Sequence, residues 1–290
     1  MKSIRTILAA TDFSPAAQLA TLRAVELARA FGADLTLAHV MSPLKLRLPQ
    51  EFLPAGFDPE MRLHEEAHAA LEAAASSLAA IGVNIRVDFR HGIVLDELLA
   101  ASVDADIVVL GAYGTAPIRD ALLGTTAERL LRKCDKPVLV VKRAPMGGYH
   151  SAIVPVDFSP RSASALASAR KIAPAAEISV LHVFDAPLEH VLKAAKAEDR
   201  EISTYRLHTR DEARRELQGF LDACEVAGQV FAIVEHGYPP KIIHEKELEL
   251  RADLIVIGKS GKGPIEALLL GGVTRHILAD CACDVLVVPE

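Results

Sequence analysis

Tryptophan is absent, and Phe and Tyr are so few that aromatics make up only 4% of the 290 residues. Any core must therefore be built from Ala, Leu, Val and Ile, which suits helices packed on aliphatic strands. Four Cys in a chain of this length exclude a disulfide framework, and only Cys281 and Cys283 lie close together. A basic excess is missing too. The 38 acids outnumber the 32 bases, the formal charge is −6, and a nucleic-acid partner is not expected. No apolar run reaches the roughly 18 residues of a membrane span, so no membrane partner is expected either. The apolar run near Ile7 is too short for a signal sequence and soon meets Asp12. With Cys so sparse, the expectation is a protein of the reducing cytoplasm. Neither G-x-x-x-x-G-K-[ST] nor G-x-G-x-x-G occurs, which removes a P-loop NTPase and a standard dinucleotide fold. The G-x-S-x-G elbow and a convincing carboxylate pair are missing as well, and no catalytic residue is assigned.

The landmarks that are present come twice. Ile7-Leu-Ala-Ala-Thr-Asp12-Phe-Ser-Pro15 returns as Ile153-Val-Pro-Val-Asp157-Phe-Ser-Pro160, with the two Asp half a chain length apart. Leu37-Ala-His39-Val40 returns as Val180-Leu-His182-Val183, and Phe89-Arg-His91-Gly92 as Val234-Glu-His236-Gly237. Ala105-Asp-Ile-Val-Val-Leu-Gly111 returns as Ala252-Asp-Leu-Ile-Val-Ile-Gly258, and Pro137-Val-Leu-Val-Val141 as Asp284-Val-Leu-Val-Val288. The same order at nearly constant spacing means a duplicated domain. Domains are placed at 1–144 and 149–290, joined through Arg143-Ala-Pro-Met-Gly-Gly-Tyr149, whose Pro and paired Gly suit a linker.

Each copy alternates strands and helices. In the first, strands are expected at 3–10, 35–40, 85–89, 107–110 and 138–141. Helices are expected after Ser14, at 60–80, 94–102 and 125–134. Ser14 and Ser159 read as caps with Pro at the first helical position. The second copy repeats the pattern, with a charged long helix at 198–228. Apolar strands alternating with helices give an α/β fold of two tandem doubly wound five-stranded parallel sheets, each with helices on both faces. In such sheets ligands sit beyond the carboxyl ends of strands. Those ends are Asp12, Val40, His91 and Gly111 in the first copy, and Asp157, Val183, His236 and Gly258 in the second.

After the fourth strand of the first copy comes Gly111-x2-Gly114-x9-Gly124-Thr125-Thr126, running from a strand end to a helix start. Glycines let backbone amides approach an anion, and a helix N-terminus offers unpaired N–H groups and a positive dipole end. On the residues alone, these glycines could equally turn the chain, and Thr125 could merely cap a helix. Together with the strand ending in Asp12-Phe-Ser-Pro, the strand ending in His39-Val40 and the last Val-Leu-Val-Val strand, the chain resembles a tandem universal stress protein over nearly its whole length. The resemblance implies the five-stranded parallel fold and binding of ATP with Mg²⁺. It implies that Thr11, Asp12, Val40 and Leu110 hold the adenosine end, and that Gly111, Gly114, Gly124, Thr125 and Thr126 form the ribose and phosphate loop. In the second copy it implies Pro155, Asp157, Val183 and Ile257, followed by Gly258, Gly261, Gly271, Gly272 and Val273. The second copy departs from the pattern at Gly272, where a Ser or Thr is expected. Lys259 and Lys262 add positive charge there. The resemblance also implies a pseudo-dimer within one chain, made through the last strands and able to dimerise further.

Other groups read as structural. His39 and His182 read as satisfied imidazoles at strand ends rather than metal ligands, and His91 and His236 as turn residues, with lining of the cleft as the alternative. Cys281-Ala-Cys283 beside Asp284 could bind a soft metal or oxidise, but with Cys134 at the place of Cys281 the pair reads as small buried residues. Arg200, Arg206, Arg210, Arg214 and Arg215 alternate with acids, a solvated face of the long helix. The function expected is that of a stress-response regulatory module switched by adenine nucleotide and acting on a protein partner. A slow ATPase or nucleotide transferase, with Arg119 in the loop, and a scaffold without nucleotide stand as alternatives.

Overall fold

The structure, a computed structural model, describes residues 4–43, 58–79, 82–114, 123–260 and 270–289. The chain forms two compact units, Met1–Gly147 and Gly148–Glu290. In the first, β1 (Thr6–Ala10), α1 (Pro15–Phe31), β2 (Asp34–Met41), α2 (Pro59–Ala79) and β3 (Ile85–His91) are followed by α3 (Val94–Ser102), β4 (Ile107–Gly111), α4 (Thr125–Lys133) and β5 (Val138–Val141). Its strands run in the order β3-β2-β1-β4-β5, and every neighbouring pair is parallel.

The second unit repeats the scheme. β6 (Ser151–Val156), α5 (Pro160–Ile172) and β7 (Glu177–Phe184) lead through α6 (Leu188–Ala194) into α7 (Asp199–Ala223) and β8 (Phe231–His236). Then come α8 (Pro239–Glu249), β9 (Leu254–Gly258), α9 (Gly272–Asp280) and β10 (Asp284–Val288). The order is β8-β7-β6-β9-β10, again all parallel. The chain therefore adopts the α/β doubly wound architecture twice, with the order reversing between β1 and β4 and between β6 and β9.

Local chemistry explains the elements. Strands β4, β5, β9 and β10 are almost continuously buried, as strands covered on both faces must be. Ser14 caps α1 by accepting the Ala17 amide at 3.2 Å, and Ser159 caps α5 through the Ser162 amide at 3.3 Å. Pro15 and Pro160 occupy first positions, where a missing N–H costs nothing. In the first unit α1 lies over β1 and β4, while α3 packs on α4.

Some details differ from the periodicity. The long helix of the second unit ends at Ala223 rather than 228, because Glu225 takes a left-handed φ of 56° and turns the chain. A short helix, α6, precedes it, and its Glu189 is held by Arg206 through bonds of 3.1 and 2.6 Å. Arg206 stays half-exposed, yet it ties α7 to α6. His91 and His236 are the last residues of their strands rather than turn residues, because pairing with β2 and β7 continues to Met41 and Phe184.

Candidate functional site

At the switch point of the first sheet, β1 and β4 diverge and leave a recess of about 310 Å³ beyond their carboxyl ends. Its apolar wall comes from Val40, Val94, Leu98 and Leu110, and its polar wall from Thr11, Asp12, Gly111, Gly114, Gly124, Thr125 and Thr126. The recess thus gathers all nine residues singled out in the first copy. Val94 and Leu98, missed in the sequence, arrive from the α3 face that turns toward the strand ends.

The turn after β1 is built to present Asp12. Phe13 adopts a left-handed φ of 63°, unusual for a bulky side chain. It is held by stacking on His39, with ring centroids 4.6 Å apart. His39 in turn bonds through Nδ1 to the Thr11 carbonyl at 2.8 Å, so this imidazole is a brace of the turn. Asp12 accepts the Ser14 amide at 3.1 Å.

The glycines fit by close approach. A Cβ on Gly111 would stand 2.6 Å from the Ala16 carbonyl carbon, inside α1 backbone. A Cβ on Gly114 would stand 2.7 Å from Asp12 Oδ2, so the loop lies against the carboxylate. The Gly124 amide donates to the Ala112 carbonyl at 2.8 Å and closes the loop. Gly124 is then the N-cap of α4 and makes no side-chain cap, and the exposed Thr125 and Thr126 at this helix start line the recess.

The second unit has the equivalent recess, about 400 Å³. Pro155, Asp157, Val183, Ile257, Gly258, Gly271, Gly272 and Val273 line it, while Gly261 and Lys262 lie outside the described residues, as do Arg119 and most of the segment between Met41 and Pro59. Phe158 repeats the left-handed turn at φ 62° and stacks on His182 at 4.2 Å, and His182 bonds the Val156 carbonyl at 2.9 Å. Asp157 Oδ1 accepts from the Ser159 amide at 3.1 Å, its hydroxyl at 2.6 Å and the Ser162 hydroxyl at 2.7 Å. Arg161, Ser162, Tyr238, Ser260, Thr274 and His276 also line this recess. Tyr238 and His276 cross edge to face at its mouth, with centroids 6.2 Å apart.

The expectation that the chain carries no H-E-x-x-H is corrected by a spacing on α2 that the sequence itself contains. His64-Glu65-Glu66-Ala67-His68 has the H-E-x-x-H spacing of zinc helices. Here the rings meet by their faces: His64 stacks on His91 with centroids 4.8 Å apart and planes 6° apart, beside Phe89. No helix among the described residues is long and apolar enough to cross a membrane.

The profile of the universal stress protein family matches residues 3–142 and again 148–289. A universal stress protein of Mycolicibacterium smegmatis is 25% identical over 311 aligned residues, covering 97% of this chain and 96% of that protein. A universal stress protein of Methanocaldococcus jannaschii is 29% identical over 154 residues, covering 48% of this chain and 95% of that protein. Among solved structures, a universal stress protein from Archaeoglobus fulgidus superposes with a TM-score of 0.72 at 21% identity, covering 98% of each chain, a likeness of fold.

Proposed function

The chain belongs to the universal stress protein family, and on that premise we propose that it binds an adenine nucleotide in the recess of its first unit and serves as a nucleotide-responsive regulatory module. The observation that carries the reading is the juxtaposition of Gly111 and Gly114, packed too closely for a side chain, with the uncapped start of α4. A polyphosphate needs such backbone donors and a positive dipole end. The apolar wall of Val40, Leu98 and Leu110 suits the base, and Asp12 suits sugar or base hydroxyl and amino donors. A volume near 310 Å³ lies at the lower end of the ~300–1,000 Å³ usual for small-ligand sites.

Mg²⁺ would arrive with the nucleotide, held chiefly by phosphates, as is usual for this ion. Asp12 is the one carboxylate lining the first recess among the described residues, and it is the side chain that would complete the ion's shell. The role of this chain is to bind and orient. The turn braced by His39 fixes Asp12, and the bond from the Gly124 amide to the Ala112 carbonyl fixes the start of α4 before a ligand arrives, which lowers the ordering cost of binding.

The test is calorimetric titration of ATP with Mg²⁺ into nucleotide-stripped protein, beside Gly114→Val and Gly271→Val. Gly114→Val should abolish the tighter event by driving a side chain into Asp12. Gly271→Val should remove only a second, weaker event, because its Cβ meets Ser260 Cα at 3.2 Å. Absence of any binding by the unsubstituted protein would refute the nucleotide reading.

A further inference from the structure

The second unit holds a side-chain cluster that the nucleotide recess does not use. His244 and Glu247 stand on α8 at i and i+3, and Cys281 follows the last turn of α9. One ligand atom from each, an imidazole nitrogen, a carboxylate oxygen and a thiol sulfur, lies within 4.8 Å of the other two. Glu247 is only 4% exposed and Cys281 only 3%. Glu247 Oε1 is fixed by the Ala282 and Cys283 amides, each at 2.8 Å. Its Oε2 faces His244 Nδ1 at 3.1 Å. The carboxylate is therefore held in place before any cation arrives.

We infer that His244, Glu247 and Cys281 form a binding site for a borderline-soft divalent cation of the zinc class. The set combines the nitrogen, oxygen and sulfur donors that zinc prefers, and its soft thiolate disfavours Mg²⁺ and Ca²⁺. Zinc bonds of about 2.0–2.3 Å hold ligands closer than they now stand, and a rotamer adjustment of the half-exposed His244 closes the set. The two amides on Oε1 supply the outer-shell support that orients a ligating carboxylate. On binding, the Cys281 thiol loses its proton to solvent and the imidazole gives its Nδ1 lone pair, so both become donors. A water from the open side of His244 completes the shell. The first unit keeps only the cysteine: Leu99, Ser102 and Cys134 stand in the corresponding places, and Cys134 donates to the Ser102 hydroxyl at 3.7 Å. The site therefore belongs to the second copy alone.

The experiment uses reduced, chelator-stripped full-length protein and Co²⁺ as the probe. The expected result is one equivalent bound with a thiolate-to-cobalt charge-transfer band, displaced by Zn²⁺. Cys281→Ser should abolish the band. His244→Ala, at a half-exposed position that leaves folding intact, should weaken binding by at least the roughly 10–100-fold that even outer-shell partners contribute. A charge-transfer band that persists in Cys281→Ser overturns the assignment. So does its absence from the unsubstituted protein. Co²⁺ binding without the band that disappears in His68→Ala would overturn it too, because the ion would then sit on the α2 histidines.

Discussion

Asp12 and Asp157 mark the same strand end in the two units, yet the recesses around them are lined by different chemistry. Ala17 in the first unit is Ser162 in the second, which places an extra hydroxyl on the Asp157 carboxylate. Ala16 becomes Arg161, Ile93 becomes Tyr238, and Thr125 becomes Gly272. Ala10 becomes Pro155, which has no N–H to give. Pairing of β6 with β9 covers Ala152 and Ile153, whereas β1 pairs with β4 from Ile7 through Ala9. Strand pairing thus ends a residue earlier in the second unit, and its recess is larger, about 400 against 310 Å³. The recess is a property of the doubly wound fold, and its ligand preference is a property of the lining. The first unit presents hydroxyls at the helix start. The second presents a guanidinium and a phenol ring at the mouth.

The sharpest way to break this comparison is at the glycines ending β4 and β9. Gly111→Ala should destabilise the protein by about 3 kcal/mol, because the new methyl meets α1 backbone at 2.6 Å and the helix cannot yield locally. Gly258→Ala should cost less, about 1–2 kcal/mol, because the methyl meets Arg161 Cβ at 3.0 Å and backbone only at 3.6 Å. Urea unfolding of the two variants measures both, and equal losses would show that the first helix packs no more tightly than the fifth. Next in size is Glu247 against Ser102. Glu247→Ala removes the acceptor of two amides and should cost about 2–3 kcal/mol in chelator-treated protein. Ser102→Ala loses the bond its hydroxyl donates to Leu99 at 2.7 Å and the weak thiol bond it accepts from Cys134, and should cost about 1 kcal/mol. Matching values would mean that the carboxylate does no more for its unit than the hydroxyl does for the other.

The architecture was legible because the strand signals and the repeat agree: each landmark pair falls on corresponding strands, and capping serines mark the helices that follow. The gathering of Asp12, Val40 and Gly111 in one unit, and of Asp157, Val183 and Gly258 in the other, around a recess was also legible, since the parallel topology brings carboxyl ends to one side; the strand-end residues His91 and His236 line neither recess. Residues contributed by helix faces were not. Leu98, Tyr238 and His276 enter through helix rotation and a turn, which spacing along the chain does not encode. The His244, Glu247 and Cys281 cluster was hidden for the same reason, since α8 and the end of α9 meet only in the fold. Arg206 looked like its neighbours on α7, and only the missed α6 supplies the Glu189 that sets it apart.

The smallest expected effect sharpens the comparison most directly. Gly272 opens α9 where Thr125 opens α4, and a Cβ there would meet nothing within 4 Å. Gly272→Ser therefore adds a hydroxyl at the helix start at no steric cost. One added hydrogen bond to a phosphate oxygen is worth about 1 kcal/mol, so ATP affinity at the second site should rise roughly fivefold. The reciprocal change, Thr125→Gly, should lower affinity at the first site by a similar factor. Calorimetry with Gly114→Val in the background isolates the second site for the first measurement. A gain at one site and a loss at the other would trace the difference between the recesses to this position. No change in either would shift the explanation to Arg161 and Tyr238, whose charge and ring alter the mouth rather than the helix start.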